Sequence, residues 1–223
     1  MDTPIRIALA KGRLEKQCRA LFARAGYDCS ALENPGRRLI HTLPNGAGLA
    51  PLEAVLAKAP DVVTYVSRGV CGLGVAGKDT VMEQGGPFYE TLDLKLGACR
   101  FALAAPEGTV FFGGAGHKRV ATKFPNITRR FLSELGVDAE IIRIEGSCEL
   151  APLLGLADAI VDIVETGATL RENGLAVLRE LFPLSARLIV NVAAYKLRRA
   201  EIDRLTERLR ESLPPSLTGE NKA

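Results

Sequence analysis

Short apolar runs alternate along this chain with segments whose apolar residues recur every three or four positions, and that alternation restricts it to an α/β fold. The opening unit shows the pattern best. Residues 5–10 form an apolar run with one charge, Arg6, near its start, and Lys11-Gly12-Arg13 follows as a turn. Leu14, Cys18, Leu21, Phe22 and Ala25 then fall at helical spacing, and Gly26 stands where a helix C-terminus favours glycine. Strand-like runs follow at 39–40, 55–57 and 73–76, with Asp61 expected as a helix N-cap between the last two. Residues 92–105 read as two extended segments broken at Gly97, and the change of pattern at 94–97 suggests a boundary between lobes. A second series of units comes next. It has a strand around Val120-Ala121, a helix opened by Pro125 and ended at Gly136, a strand at 141–144, a helix at 148–156 and a strand at 159–164. Residues 186–192 are strand-like. Ile202, Leu205, Leu209 and Leu213 mark one face of a charged helix that Pro214-Pro215 stops, leaving a polar, frayed tail.

Composition excludes several classes. Twenty-nine Lys and Arg against 26 Asp and Glu give a net charge of +3, too little to point to nucleic acid but compatible with a local basic site for a small polyanion. No apolar run approaches the roughly 20 residues of a membrane span. The N-terminus carries no apolar signal core, so a cytoplasmic protein is expected. The five cysteines are scattered without a CxxC pair, which suggests reduced core thiols rather than a disulfide framework or zinc knuckle. With two histidines far apart, neither a metal cluster nor a histidine relay is expected.

The segment most suited to chemistry runs from Asp158 to Leu170. An apolar strand delivers Asp162, then Glu165, into a turn of small and hydroxyl residues, with a helical turn expected from Thr169. Such a layout suits a phosphate monoester. Gly167 lets the backbone approach closely, and the amides of Gly167, Ala168 and Thr169 can point at phosphate oxygens. Thr166 and Thr169 add hydroxyls, and the carboxylates can accept from ribose hydroxyls. The plain alternative is a βα turn with a threonine N-cap. Lys11-Gly12-Arg13 places two cations around a glycine, which suits phosphate oxygens or a pyrophosphate leaving group; alone it also fits a solvated turn. Arg37-Arg38, Lys58 and Lys78 are further basic candidates. Residues 72–77 match GxGxxG, but Leu73 to Ala76 reads as the strand itself, so the dinucleotide reading is rejected. The glycine-rich stretch 113–119 lacks P-loop spacing and reads as a connection.

Several ordered blocks resemble the ATP phosphoribosyltransferases: residues 5–14 (IRIALAKGRL), 61–66 (DVVTYV), 73–79 (LGVAGKD), 119–127 (RVATKFPNI), 145–175 (EGSCELAPLLGLADAIVDIVETGATLRENGL) and 186–191 (ARLIVN). The resemblance implies a two-lobed fold like the type II periplasmic binding proteins, with a central cleft. Lobe I would take residues 1–94 plus 180–223, and lobe II, carrying the loop for phosphoribosyl pyrophosphate (PRPP), residues 95–179. It implies PRPP binding by Asp162, Glu165, Thr166, Gly167, Ala168 and Thr169, with Lys11 and Arg13 as catalytic cations from the other lobe. Arg37, Lys58, Glu145 and Gly146 become ATP or phosphate candidates. The implied reaction joins adenine N1 of ATP to the anomeric carbon of PRPP and releases pyrophosphate, opening histidine biosynthesis. Adenine N1 has a free lone pair, so no strong base is needed. Mg²⁺ would bridge pyrophosphate oxygens, with no direct protein ligand expected.

The chain departs from the family pattern at Ala10 and Val63, where proline is common, and at Lys58, where arginine is common; lysine cannot make the bidentate fork. Longer members carry a C-terminal histidine-binding domain, and this chain ends after its Leu205–Leu213 helix. The short form is therefore expected, working in a hetero-oligomer with a regulatory subunit resembling histidyl-tRNA synthetase. Two other readings stay open: a non-catalytic small-molecule-binding or effector module of the same fold, and a phosphoribosyltransferase acting on a free base. Against the second, Asp162 and Glu165 are not adjacent as that class's paired acids are.

Overall fold

The computed structural model of the chain describes residues 3–45, 48–113 and 116–213. The Pro214-Pro215 stop and the tail after it lie outside the described residues, as do Gly114 and Ala115 of the glycine-rich stretch. In chain order the elements are β1 (Ile5–Ala10), α1 (Arg13–Arg24), a 3-10 turn (Ser30–Leu32), β2 (Ile40–Leu43), β3 (Leu52–Ala57), α2 (Ala59–Ser67), β4 (Leu73–Gly77), α3 (Lys78–Gln84), β5 (Phe88–Asp93) and β6 (Cys99–Pro106). There follow β7 (Lys118–Thr122), α4 (Pro125–Glu134), β8 (Ala139–Arg143), α5 (Leu150–Leu153), β9 (Ala159–Val164), α6 (Ala168–Glu172), β10 (Leu175–Leu184), β11 (Ala186–Asn191), α7 (Val192–Leu197) and α8 (Arg199–Glu211). The chain divides into two compact units, Met1–Gly97 with Ser185–Ala223, and Ala98–Leu184.

The first unit is built on a sheet in the order β2-β3-β1-β4-β11-β5. β3, β1 and β4 are parallel; β2 and β11 run against them. β1 shows how helices come to cover both faces. Its alternating side chains sort by size. Ile5, Ile7 and Leu9 join Leu21 and Phe22 of α1 and Ile202, Leu205 and Leu209 of α8 in one core. Ala8 and Ala10 join Val62, Val63 and Val66 of α2 in the other. Small residues on that second face let α2 lie close. Gly74 of β4 belongs to the same approach, since a methyl group there would meet Val66 Cγ2 at 2.7 Å and Val62 Cγ1 at 3.0 Å.

Helix ends differ from expectation where proline and glycine act first. Lys58, not Asp61, is the N-cap of α2. Pro60, with φ already fixed and no N–H to lose, starts the helix one turn earlier and leaves Asp61 in the first turn. The run at 186–192 stops at Asn191, whose Oδ1 accepts from Ala193 and Ala194 N–H, both at 3.0 Å, and so opens α7.

In the second unit the order is β10-β6-β9-β7-β8, with β9, β7 and β8 parallel and β6 antiparallel to both of its neighbours. One face is lined by small residues, Ala102, Ala104 and Ala121, packed with Cys148, Ala151, Ile160, Val164 and Leu170. On β6, Phe101 meets Phe124 and Phe182 edge-on at 4.9 and 5.3 Å between centroids. Asp158 ties the N-terminal ends of β7 and β9 together by accepting from Arg119 N–H at 2.8 Å and Arg119 Nη2 at 3.0 Å. The expected helix at 148–156 is a single turn. Gly155, in the left-handed region at φ 70°, reverses the chain so that Leu156 and Ala157 N–H donate back to Ala151 O. β10 was not foreseen; its charges and Pro183 disguise it, and two bulges and an edge position accommodate them.

The chain crosses between the units at 97–98 and 184–185. Within the first unit these crossings are tied side by side: Leu94 N–H donates to Ala186 O at 2.9 Å and Ala186 N–H to Leu96 O at 2.8 Å. Asp93 holds the same place. Its carboxylate accepts from Ser185 Oγ at 2.6 Å, Lys95 N–H at 2.9 Å and Lys95 Nζ at 2.7 Å, and pairs with Arg187 Nη1 at 2.8 Å. Burial would raise this carboxyl, but the Lys95, Ser185 and Arg187 contacts outweigh it and hold its pKa below the ordinary value.

Gly74→Ala overpacks the β4–α2 contact and costs about 1–3 kcal/mol in urea unfolding. Asp93→Asn costs about 2 kcal/mol at pH 7. Because the folded carboxyl titrates below the unfolded one, its contribution is present above about pH 4 and lost as pH falls through the folded pKa. Melting curves of wild type and variant therefore converge toward pH 2–3; a gap that persists there excludes the ionised Asp93 as its source.

Candidate functional site

In each unit the chemistry-bearing residues gather at the C-terminal ends of its parallel strands, where open α/β sheets present their loops. In the second unit these are the ends of β9, β7 and β8, paired in register Thr122↔Val161 and Thr122↔Arg143. The loop after β9 holds Glu165, Thr166 and Gly167. Gly167 has φ 74° and is the N-cap of α6, which begins at Ala168 rather than at Thr169. The threonine cap of the plain alternative is thus replaced by a left-handed glycine. Thr166 Oγ1 accepts from Ala168 N–H at 3.3 Å, folding the turn on itself. α6 has five residues, too few for an extended macrodipole, so any hold on an anion comes from local amides and the exposed Thr166 and Thr169 hydroxyls.

Asp162 lies two residues before the end of β9, half-buried on the Ile160–Val164 face. Burial raises its pKa, against a backbone bond from Ile163 N–H at 2.8 Å and the attraction of Lys123 and the Cys148 thiol. The Cys148 thiol is itself pushed up to about 12 by burial and by Asp162. Lys123 follows β7 on an exposed turn held from below by Thr122. The buried Thr122 Oγ1 donates to Val161 O at 2.7 Å and accepts from Phe124 N–H at 3.0 Å. Glu145 and Gly146 follow β8 and are exposed, Glu145 pairing with Arg143 at 2.8 Å.

In the first unit, β1 and β3 are in register Ala10↔Ala57, so Lys11 and Lys58 leave neighbouring strands at the same level. Lys11 N–H donates to Ala57 O at 2.9 Å. Gly12, at φ 101°, turns the chain into α1 and places exposed Arg13 at its first position. β2 runs antiparallel to β3, and Leu39 O accepts from Leu56 N–H at 2.8 Å, which brings Arg37 and Arg38 to the same edge. There the buried His41 ring nitrogen Nε2 lies 3.1 Å from Arg38 O and fastens the turn. Five cations, Lys11, Arg13, Arg37, Arg38 and Lys58, thus share one edge, with Glu15 and Asp61 in the adjoining first helical turns.

Other basic or glycine-rich candidates are spent on structure. Lys78 pairs with Glu90 at 2.6 Å. The GxGxxG match lies in β4, where Gly74 admits α2 and Gly77 makes room for the Asp79 carboxylate. Among the described residues no group of three or more His, Cys, Asp or Glu is placed to hold a metal ion. Sequence reasoning passed over Lys123, His41, Arg100 and Arg171; each stands in an ordinary context, and only strand pairing and turn geometry bring it to a site.

Two α/β units, each with its polar loops at the C-terminal ends of parallel strands, define a two-unit α/β protein with the type II periplasmic-binding-protein fold. The periplasmic aliphatic sulphonate binding protein SsuA from Escherichia coli shares that fold alone, at TM-score 0.59 and 13% identity over 95% of this chain and 73% of the other. The family model described as ATP phosphoribosyltransferase matches residues 58–211. ATP phosphoribosyltransferases of Clostridium acetobutylicum and Clostridium kluyveri are 52% and 50% identical, covering 91% and 93% of both chains in each case. The ATP phosphoribosyl transferase (HisG:HisZ) complex from Thermotoga maritima matches at TM-score 0.77 and 31% identity, over 94% of this chain and 98% of that one. The chain belongs to the ATP phosphoribosyltransferase family.

His41→Ala removes the fastening of the Arg37-Arg38 turn. It is expected to cost about 0.5–1.5 kcal/mol, the net worth of one hydrogen bond to an exposed residue's carbonyl, and to speed amide hydrogen exchange at 36–39. Unchanged exchange there would show that the turn holds itself.

Proposed function

We propose that this chain is the catalytic subunit of a short-form ATP phosphoribosyltransferase. It joins adenine N1 of ATP to the anomeric carbon of PRPP and releases pyrophosphate, the first step of histidine biosynthesis. One observation carries the assignment of the PRPP site: the loop after β9 combines a left-handed Gly167, two exposed threonine hydroxyls and the half-buried Asp162 at a parallel-strand terminus, within a family-matched segment.

The 5-phosphate of PRPP lies against the amides and hydroxyls of Thr166, Gly167, Ala168 and Thr169. Asp162 and Glu165 accept from the ribose hydroxyls. Lys11 and Arg13 offset the charge of the departing pyrophosphate, and Arg37, Lys58, Glu145 and Gly146 are candidates for ATP and its phosphates. Neutral adenine N1 attacks with its own lone pair, so the protein's task is to orient two polyanions and stabilise the leaving group. The donors offered are amides, hydroxyls and cations, a set that fits phosphate better than a bare divalent ion. Members of the family depend on Mg²⁺; it would supply charge neutralisation for the pyrophosphate, with no direct protein ligand expected, while Lys11 and Arg13 supply the protein's own cations.

Among the described residues no helix is long and apolar enough to cross a membrane, and we place the enzyme in the cytoplasm. The Thermotoga relative was solved as a HisG:HisZ complex, which supports a hetero-oligomer of this chain with a separate regulatory subunit resembling histidyl-tRNA synthetase.

Pyrophosphate release with ATP, PRPP and Mg²⁺, in the presence and absence of that partner, tests the reaction; free adenine in place of ATP is expected to be inactive. Thr169→Ala and Gly167→Val should each raise the KM for PRPP about tenfold or more, the effect of losing a hydrogen bond to a charged group. Valine at 167 meets an unfavourable φ and Arg171 Nη1 at 3.2 Å. Unaltered PRPP kinetics in both variants would remove the loop from the site.

A further inference from the structure

Two arginines grip consecutive carbonyls of the loop after β9. Arg100 of β6 donates from Nη1 to Glu165 O at 3.1 Å. Arg171 of α6 donates from Nη1 to Thr166 O at 3.2 Å. In a trans peptide the carbonyl and the N–H of the next residue point in opposite directions across one rigid plane. Holding Glu165 O therefore sets the Thr166 N–H, and holding Thr166 O sets the Gly167 N–H on the side away from the guanidinium. Arg100's charge is already matched, since its Nε lies 2.6 Å from Glu180 Oε1. Its contact with the loop is thus one of orientation. Arg171 also lies over Gly167, where a Cβ would stand 3.2 Å from Nη1, so the same guanidinium that turns the peptide occupies the space of a side chain.

We propose that Arg100 and Arg171 are positioning residues for PRPP: they lock the two peptide planes of 165–167 so that the Thr166 and Gly167 amides are aimed at the 5-phosphate before it arrives. This rests on the reading of that loop as the PRPP site. A guanidinium suits the task because it stays charged at any working pH and holds its donors in a fixed plane.

The test uses the full chain, with its regulatory subunit if activity requires one, and compares Arg100→Met, Arg171→Met, Arg171→Lys and Gly167→Val. Steady-state kinetics are measured for each substrate, and backbone amide resonances of 166–169 are recorded without ligand. Each Met variant is expected to raise the PRPP KM about tenfold, a loss on the order of one charge-assisted hydrogen bond. The ATP KM and the kcat at saturating PRPP should stay within about twofold, since the chemical step is not touched. The Thr166 and Gly167 amide resonances should already move in the ligand-free protein, and Arg171→Lys, which keeps a donor, should recover most of the PRPP affinity. If a Met variant does not fold, Arg100→Gln replaces it, with a PRPP KM raised about threefold or more on the same reasoning. Met variants with wild-type PRPP KM, alongside a Gly167→Val that loses PRPP, overturn the positioning role and leave the loop assignment standing. A PRPP defect without amide shifts in the free protein also overturns it, since the arginines would then touch substrate directly. Normal PRPP kinetics in both Gly167→Val and Thr169→Ala bring down the loop assignment and the positioning role together.

Discussion

A parallel strand can be followed by its parallel neighbour only if the chain crosses a face of the sheet, and most of this structure depends on that requirement. Each crossing adds a helix to one face and sends a loop out at the C-terminal end of the strand it leaves. β1, β3 and β4 in the first unit and β9, β7 and β8 in the second obey it. Polar residues that would be costly inside either sheet therefore accumulate at a strand terminus, where backbone groups are unpaired and a phosphate can be met.

The two units solve the same problem with different chemistry. The first gathers long cations at its edge and supports them with short backbone bonds, as at Lys11 and Arg38. The second uses almost no side-chain length. It offers amides and hydroxyls on a glycine turn, with a carboxylate, Asp162, held half-buried among a thiol, a lysine and a backbone amide. In the proposed assignment the flexible cations serve the group that leaves and the fixed turn the group that stays.

Much of this was legible in the sequence because local rules and tertiary needs agreed. The Ile5–Ala10 strand, the turn at Gly12, the α1 stop at Gly26, and β9 with its small-residue loop all carry strong local signals. Residues 145–175 carried the resemblance. Where two local signals competed, the sequence misled: Pro60 overrode Asp61 as the start of α2, and Gly155 cut short the helix expected over 148–156. β10 was hidden because an edge strand need not alternate cleanly and can absorb a proline and two bulges. Arg100, Arg171 and His41 stayed silent for a different reason. Each acts on a main-chain carbonyl: strand pairing brings Arg100 to one 65 residues away, and turn geometry brings Arg171 and His41 to carbonyls five and three residues back, contacts that no side-chain spacing rule anticipates.

β5 and β11 are hydrogen-bonded antiparallel neighbours, yet everything from Ala98 to Leu184 lies between them in the chain. With Leu94 and Leu96 already bonded to Ala186, those two strands amount to a hairpin whose tip has been replaced by an entire second unit. The second unit is in this sense a guest in the loop of its host. A gene trimmed of codons 98–184 would still encode a continuous path around the first sheet, closed by a turn of a few residues.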